Sequence, residues 1–561
     1  MQKKTRVLIM VMVLLLVASM AVSQALALPP KVGVVCVQDV GSLSGGGAFP
    51  MDTIAAARML EYAGADVYMI DSGDILDNNI LADLDAICFP GGYAVTYTDY
   101  FAPDELDAVR NAIRDFIYNG GGYIGICAGA YFGADVVVWP NTAGKPTRYE
   151  YYLDLFMGDA VGPLEDVSDY PDDPMALTTV RMVDPDFSWN GTTFIIGYLW
   201  GPYFTGTEGD PLPPGTEVVG VYDYEINGVP GLYDEKPAMI KFEFGSGRVF
   251  LSGVHPELEE SATLANSRDW AVGDDYGTDD PAGPVADPDT EWDMMADVLA
   301  WLCPNSTISK ADTPLRNYTA AVYGTLGTSA RVLWPTMKML YSLGIQPYAY
   351  DSHANTEITI DKFDMAVFPN GHETVMDDYI DVPTLDAFLA DGGDFIGIGG
   401  GAKIVGVQLD YWDSLQDLTP PATHGMESIT ICDPDTGAGT YSVAYWDEEA
   451  SADGHHWDGS GPTLPANYNP ISWTSAHVAG QVGATAVAYF TDEGPDQICM
   501  VKYPYGTGGS KIFMASIDPS TEEGSVTDGC QWDNGVKGYS DPDSEWPLID
   551  NILTWMGYLN R

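Results

Sequence analysis

At 561 residues the chain is too long for one ordinary domain, and its 46% hydrophobic content is enough for two cores. Against 24 lysines and arginines stand 81 aspartates and glutamates, a formal net charge of -57. Such a surface repels nucleic acid and anionic lipid and excludes both as partners; it reads as a solvated acidic coat rather than a store for specific cations.

In chain order, Lys3, Lys4 and Arg6 precede an apolar run from Val7 to Met20, and Ala25-Leu-Ala27 offers a small-x-small cleavage site. This predicts a signal peptide over 1–27 and an extracytoplasmic mature protein, with no membrane contact beyond that segment. Next, Ala86-Ile-Cys-Phe-Pro-Gly91-Gly92-Tyr93 predicts a strand ending in a glycine turn whose bare amides suit an oxyanion. Gly120-Gly-Gly-Tyr-Ile-Gly-Ile-Cys127-Ala128-Gly-Ala-Tyr-Phe-Gly133 then reads as a buried strand running into a cysteine and straight into a small-residue helix start. That is the pattern of a nucleophile elbow, with the thiol at the positive end of a helix. Further on, Gly247 to Glu257 predicts a strand ending in His255-Pro-Glu257. In extended backbone, residues two apart point the same way, so Glu257 can orient the His255 imidazole. His255 is the one histidine before residue 353.

Pro-Gly-Gly, Gly-x-Cys-x-Gly and His-x-Glu, in that order, resemble the triad pattern of class I glutamine amidotransferase-like proteins. Within that superfamily the elbow segment is most similar to the N-terminal domain of biotin-protein ligases. The resemblance covers roughly residues 31 to 303. It implies a flavodoxin-like α/β sandwich with Cys127 as nucleophile, His255 as base, Glu257 as orienter, and amides near Gly91, Gly92 and Ala128 as the oxyanion hole. It does not imply biotin ligation, because the chain has no Gly-Arg-Gly-Arg segment.

The chain then repeats itself. Leu84 to Gly92 returns as Phe363 to Gly371, Gly121 to Ala130 as Gly393 to Ala402, Met239 to Gly245 as Met500 to Gly506, and Asp287-Pro-Asp-Thr-Glu-Trp292 as Asp541-Pro-Asp-Ser-Glu-Trp546. The fold class expected is therefore α/β: two tandem flavodoxin-like three-layer sandwiches with mainly parallel sheets, over 28–303 and 318–561, joined by a polar linker at 304–317. Each ends in an amphipathic helix, Glu291 to Leu302 and Glu545 to Leu559, with Asp289 and Asp543 as N-caps. In the second copy Gly399, Asp518 and Ser520 stand where Cys127, His255 and Glu257 stand in the first, so that copy is expected to be non-catalytic.

Seven cysteines, an odd number, leave at least one thiol unpaired, and Cys127 is the expected free one; Cys36 and Cys88 read as buried hydrophobes. His353, His372, His424, His455, His456 and His477 lie at irregular loop-like spacing and read as solvated, so no metal and no cofactor are expected. Tyr93, Tyr97, Tyr100, Tyr131, Trp200 and Tyr203 are candidates for a pocket mouth. The reading that follows is a secreted cysteine-dependent amide hydrolase acting on a small-molecule or peptide substrate, with oligomeric state left open. The competing class is an extracytoplasmic binding protein in which the triad is a relic.

Overall fold

The computed structural model describes most of residues 28–559; 1–27, 37–46, 98–105, 140–146, 169–174, 259–269, 271–289, 351–359, 403–415, 447–470 and 521–543 lie outside the described residues, with some shorter loops. The expected signal peptide, Asp289 and Asp543, Cys530, Tyr100 and His353, His372, His455 and His456 therefore fall outside it.

The N-terminal half is built on one nine-stranded sheet. Its strands are β1 (Lys31–Val35), β2 (Asp66–Ile70), β3 (Ala86–Phe89), β4 (Gly122–Ile126), β5 (Met175–Met182), β6 (Thr193–Leu199), β7 (Glu217–Tyr222), β8 (Pro237–Phe244) and β9 (Gly247–Ser252). They lie in the order β2-β1-β3-β4-β9-β8-β7-β5-β6. From β2 to β9 all neighbours pair in parallel, and from β9 to β6 all pair antiparallel. The parallel part is the flavodoxin-like part; the antiparallel extension is a feature that the strand-turn-helix motifs do not announce. Helix α1 (Pro50–Tyr62), α2 (Leu106–Tyr118), a short α3 (Ala128–Gly133) and α4 (Trp292–Leu302) accompany the sheet. Every residue of β4 is buried, as a central parallel strand covered on both faces requires.

The second half repeats this topology. Strands β10 (Tyr318–Tyr323), β11 (Ile345–Tyr350), β12 (Met365–Phe368), β13 (Asp394–Ile398), β14 (His424–Ile431), β15 (Gly439–Trp446), β16 (Thr485–Phe490), β17 (Ile498–Tyr505) and β18 (Ser510–Ala515) run in the order β11-β10-β12-β13-β18-β17-β16-β14-β15. Strand for strand this is the order of the first sheet, including the antiparallel extension. Helices α5 (Ala330–Ser342), α6 (Val382–Ala390) and α7 (Trp546–Met556) correspond to α1, α2 and α4.

The closing helices begin one residue later than the sequence pattern predicts, at Trp292 and Trp546. Glu291 and Glu545 occupy the cap position, both fully buried, and the first amides are met by hydroxyls instead: Trp292 N donates to Thr290 Oγ1 and Trp546 N to Ser544 Oγ, each at 3.3 Å. The second helix ends at Met556 rather than Leu559, because Gly557 takes φ +105 and closes it in the left-handed region.

One apolar cluster runs from Val32, Ile54 and Met59 through Trp270 to Trp334, Met337 and Ile549, so the two halves share a core. Ion pairs cross the same seam. Arg331 Nη1 lies 3.0 Å from Asp74 Oδ2 with both side chains buried, and Lys338 Nζ lies 2.8 Å from Glu61 Oε1. Burial works against the Glu61 carboxylate, yet Lys338 and Arg58 outweigh it and hold its pKa below the usual range. The Arg58 guanidinium stacks 3.9 Å above the Trp270 ring. Breaking a buried pair strands the remaining charge. Arg331→Ala is therefore expected to cost about 3 kcal/mol of stability, measurable as a lowered urea midpoint, whereas a substitution at exposed Lys362 should leave the midpoint in place.

Candidate active site

The expected site residues come together at the carboxyl ends of three adjacent parallel strands. Cys127 follows β4 directly, Gly91 and Gly92 follow β3, and His255 and Glu257 follow β9. This is the edge of an open α/β sheet at which ligands bind.

The elbow is built by close backbone approach. Cys127 has φ +49 and ψ -102, a conformation that L side chains avoid, and its amide donates to Ser252 O at 2.8 Å. A side chain on Gly129 would collide with the Phe89 carbonyl, so this glycine lets α3 start against the end of β3. Gly399 takes φ +52 in the second half, and its amide donates to Ala515 O at 2.8 Å. The two turns are the same turn, so glycine is the residue the backbone favours there and cysteine carries strain.

The histidine is held through its backbone and through one ring nitrogen. His255 N donates to Gly197 O at 2.8 Å, and Nδ1 lies 2.8 Å from Glu257 Oε1, with His255 and Glu257 fully buried. Glu257 is itself anchored by its carbonyl, which accepts from Trp292 Nε1 at 3.1 Å. Burial disfavours the imidazolium, but Glu257 and Cys127 together outweigh it and raise the His255 pKa well above its ordinary value. Nε2 has no hydrogen-bond partner among the described residues, while the Cys127 thiol donates to Leu199 O at 3.1 Å. The thiol thus gives its hydrogen to the end of β6 while its sulfur stays close enough to the imidazole to raise the His255 pKa.

The second half supplies an internal view of the amide pair beside the nucleophile. Asn370, at the position of Gly91, turns its side chain inward, and Asn370 Oδ1 accepts from Gly371 N and from Gly400 N, each at 3.0 Å. These two amides are the counterparts of Gly92 and Ala128. They converge on a single oxygen, which is the geometry an oxyanion hole needs. The same carboxamide crowds Gly399, where an added Cβ would meet Asn370 Oδ1. Gly91 has a different task from the amide pair: a side chain there would collide with Asp52 Oδ2 and with the edge of the His255 ring.

Asp52 is the site residue that the sequence pattern misses. It lies in the first turn of α1, behind Pro50, where an acidic residue reads as ordinary helix-start chemistry. Here it is buried against the site, and desolvation raises its pKa from 3.8 to about 7 despite the opposing pull of His255, with Glu257 adding to the rise. Asp52, His255 and Glu257 each offer a ligand-type atom within 4.8 Å of the others. Because Nδ1 of the ring is already bonded to Glu257, the set is arranged to share protons. A second acidic cluster, Asp184, Asp186 and Glu217, surrounds Lys241 Nζ, which supplies its positive charge.

Other expectations resolve as follows. All six described cysteines are free thiols, and Cys432 is the exposed one. Tyr97 and Tyr131 are core residues, with hydroxyls donating to Pro90 O and Trp200 O; Tyr93 is exposed and packs on Phe49, so it does face outward. In the second half, Ser520 N and Oγ donate to Asp518 Oδ1, and Trp546 Nε1 donates to Ser520 O at 3.1 Å, matching the Trp292–Glu257 contact.

Residues 53–276 match the family model described as biotin-protein ligase, N terminal. The matched span contains the cysteine, histidine, glutamate and glycine-turn residues. A biotin–protein ligase from Schizosaccharomyces pombe is 30% identical over 190 residues, 33% of this chain and 27% of the relative. The chain thus spans about a quarter of that relative's length. Among solved structures, a glutamine amidotransferase is 17% identical with TM-score 0.26, covering 40% of this chain and 90% of its own. The PurLQS structure from Thermotoga maritima is 20% identical with TM-score 0.28, covering 43% and 94%.

Two stability tests follow. At a positive φ an L side chain costs about 1–2 kcal/mol relative to glycine, so Cys127→Gly should be more stable than Cys127→Ala by about 1 kcal/mol in chemical denaturation. Because Asp52 resists ionisation, the folded state holds a proton that the unfolded chain releases between pH 3.8 and about 7, and stability falls as pH rises through that window. Asp52→Asn should therefore gain melting temperature relative to wild type on going from pH 4 to pH 8; a pH-independent difference would contradict the assignment.

Proposed function

We propose that the N-terminal half is a cysteine-dependent hydrolase of amide or related C–N bonds, peptide or γ-glutamyl among them, exported by the segment at 1–27, and that the second half is non-catalytic. The observation that carries this reading is the cysteine held at φ +49 beside a buried histidine–glutamate pair, at a turn where the chain's own second copy uses glycine. Strain kept at one copy and relieved in the other supports a chemical task for the thiol.

His255 takes the Cys127 proton, and the thiolate adds to the substrate carbonyl carbon. The developing oxyanion is met by the Gly92 and Ala128 amides. The imidazolium returns the proton to the departing amine as the C–N bond breaks and a thioester forms. Water, deprotonated by the now neutral imidazole, then releases the acid and restores the thiol. Glu257 holds Nδ1 protonated and aims Nε2 outward throughout. No ligase chemistry enters, and with Gly399, Asp518 and Ser520 in place of the triad the second half lacks the thiol, the imidazole and the glutamate at those positions.

His255→Ala is expected to slow alkylation of Cys127 by iodoacetamide at pH 7 by about 100-fold, and Glu257→Gln by about tenfold, since the glutamine only loosens the ring. Rates are read at the Cys127 peptide by mass spectrometry, because exposed Cys432 reacts independently. Unchanged rates in His255→Ala would reduce this half to a binding fold.

A further inference from the structure

The Cys127 site contains a carboxyl group that the triad chemistry does not use. Asp52 reaches it from α1, an element that supplies no other member of the site. Its Oδ2 is buried and has no hydrogen-bond partner among the described residues, and the same is true of Glu257 Oε2, in the same cluster. Gly91 lacks a side chain in the space where Asp52 Oδ2 and the His255 ring edge meet. Titratable groups facing Asp52 or its neighbours are His255, Glu257, Cys127, Tyr97 and Cys88; the Tyr97 and Cys88 groups are held neutral, burial being the main cause.

The internal repeat gives an independent observation. Helix α5 matches α1 at an offset of 280 residues, aligning Arg58-Met-Leu60 with Lys338-Met-Leu340 and Gly64 with Gly344. Asp52 then falls on Val332. The carboxyl is lost in the copy that has also lost cysteine, histidine and glutamate, and there the counterpart of Gly91 bears the Asn370 side chain. A carboxyl needed only to start the helix or to support the fold would have no reason to disappear together with the triad.

We propose that Asp52 is a positioning residue of the Cys127 site, a second carboxyl beside the His255 ring and near Glu257 that, by gaining or losing its proton, sets how much of the Cys127–His255 pair exists as thiolate and imidazolium. Ionised Asp52 adds a negative charge beside the imidazolium and favours the ion pair; protonated Asp52 leaves that work to Glu257 alone. The inference rests on the triad reading above, and its test separates the two.

The experiment is the pH profile of Cys127 alkylation by iodoacetamide from pH 4 to 9 on the full chain, read by peptide mass spectrometry for wild type, Asp52→Asn and His255→Ala. Wild type should show a several-fold rise in rate centred near pH 7 that Asp52→Asn lacks. If His255→Ala slows alkylation while Asp52→Asn retains the wild-type profile, the Asp52 proposal falls and the triad stands. If His255→Ala leaves the rate unchanged, the triad reading itself falls. A purely structural Asp52 would lower the melting temperature of Asp52→Asn without altering the shape of the profile. Should that variant not fold, difference infrared spectroscopy of wild type decides: a protonated-carboxyl band present at pH 5 and absent by pH 9 is expected, and is to be compared with Asp52→Glu, which keeps the group and moves it. A band already absent at pH 5 overturns the proposal.

Discussion

The structure of the N-terminal half turns on one backbone constraint, the sharp passage from β4 into α3 at Cys127. The strand is central and buried on both faces, the helix must start at once, and the residue between them is forced to a positive φ. Close approach is secured by Gly129 against the Phe89 carbonyl and by the Cys127 amide on Ser252 O. Everything chemical depends on this turn, because it lifts one side chain out of a packed sheet edge and aims it between the ends of β3 and β9. The adjacent strands then need only short extensions to deliver glycine amides from one side and His255 with Glu257 from the other.

The duplicated half isolates what the fold needs from what the chemistry needs. Strand order, the positive-φ turn, the amide bond from the elbow to the neighbouring strand and the tryptophan behind the base position all persist. Cysteine, histidine, glutamate and Asp52 do not. In their place Asn370 turns a carboxamide oxygen onto the two amides and closes the space a substrate carbonyl would need. The remaining structural role of this half is visible at the seam, where α5 shares a core with α1 and carries Arg331 and Lys338 to buried or half-buried carboxylates of the first half.

Much of this was legible in the sequence because glycine and cysteine patterns at strand ends encode tight turns directly. The α/β class, the elbow at Cys127, the His255–Glu257 geometry and the pairing of Gly399 with Cys127 all follow from local spacing. What was not legible depends on long-range packing. The antiparallel halves of both sheets have no short motif. Asp52 looks like any acid in a first helical turn, and its burial beside His255 arises because α1 packs on β1 and β2 with its first turn brought against Gly91 beyond the end of β3. Asn370 as an occupant of the amide pair could not be seen either, since Pro-Asn-Gly reads as a turn and the direction of its side chain is set by Gly399 and Gly400. The two closing helices start one residue later than the pattern predicts, where the Thr290 and Ser544 hydroxyls meet the first amides.

The central claim is that position, not exposure, makes the Cys127 thiol reactive. Cys36 is an internal reference, since it is 3% exposed where Cys127 is 4% exposed, and its thiol donates to Ile70 O much as that of Cys127 donates to Leu199 O. The most direct measurement is the ratio of alkylation rates at these two cysteines in the native, full-length protein at pH 7. The account predicts that Cys127 reacts at least tenfold faster, as its partnership with His255 requires; equal rates at the two thiols would contradict it.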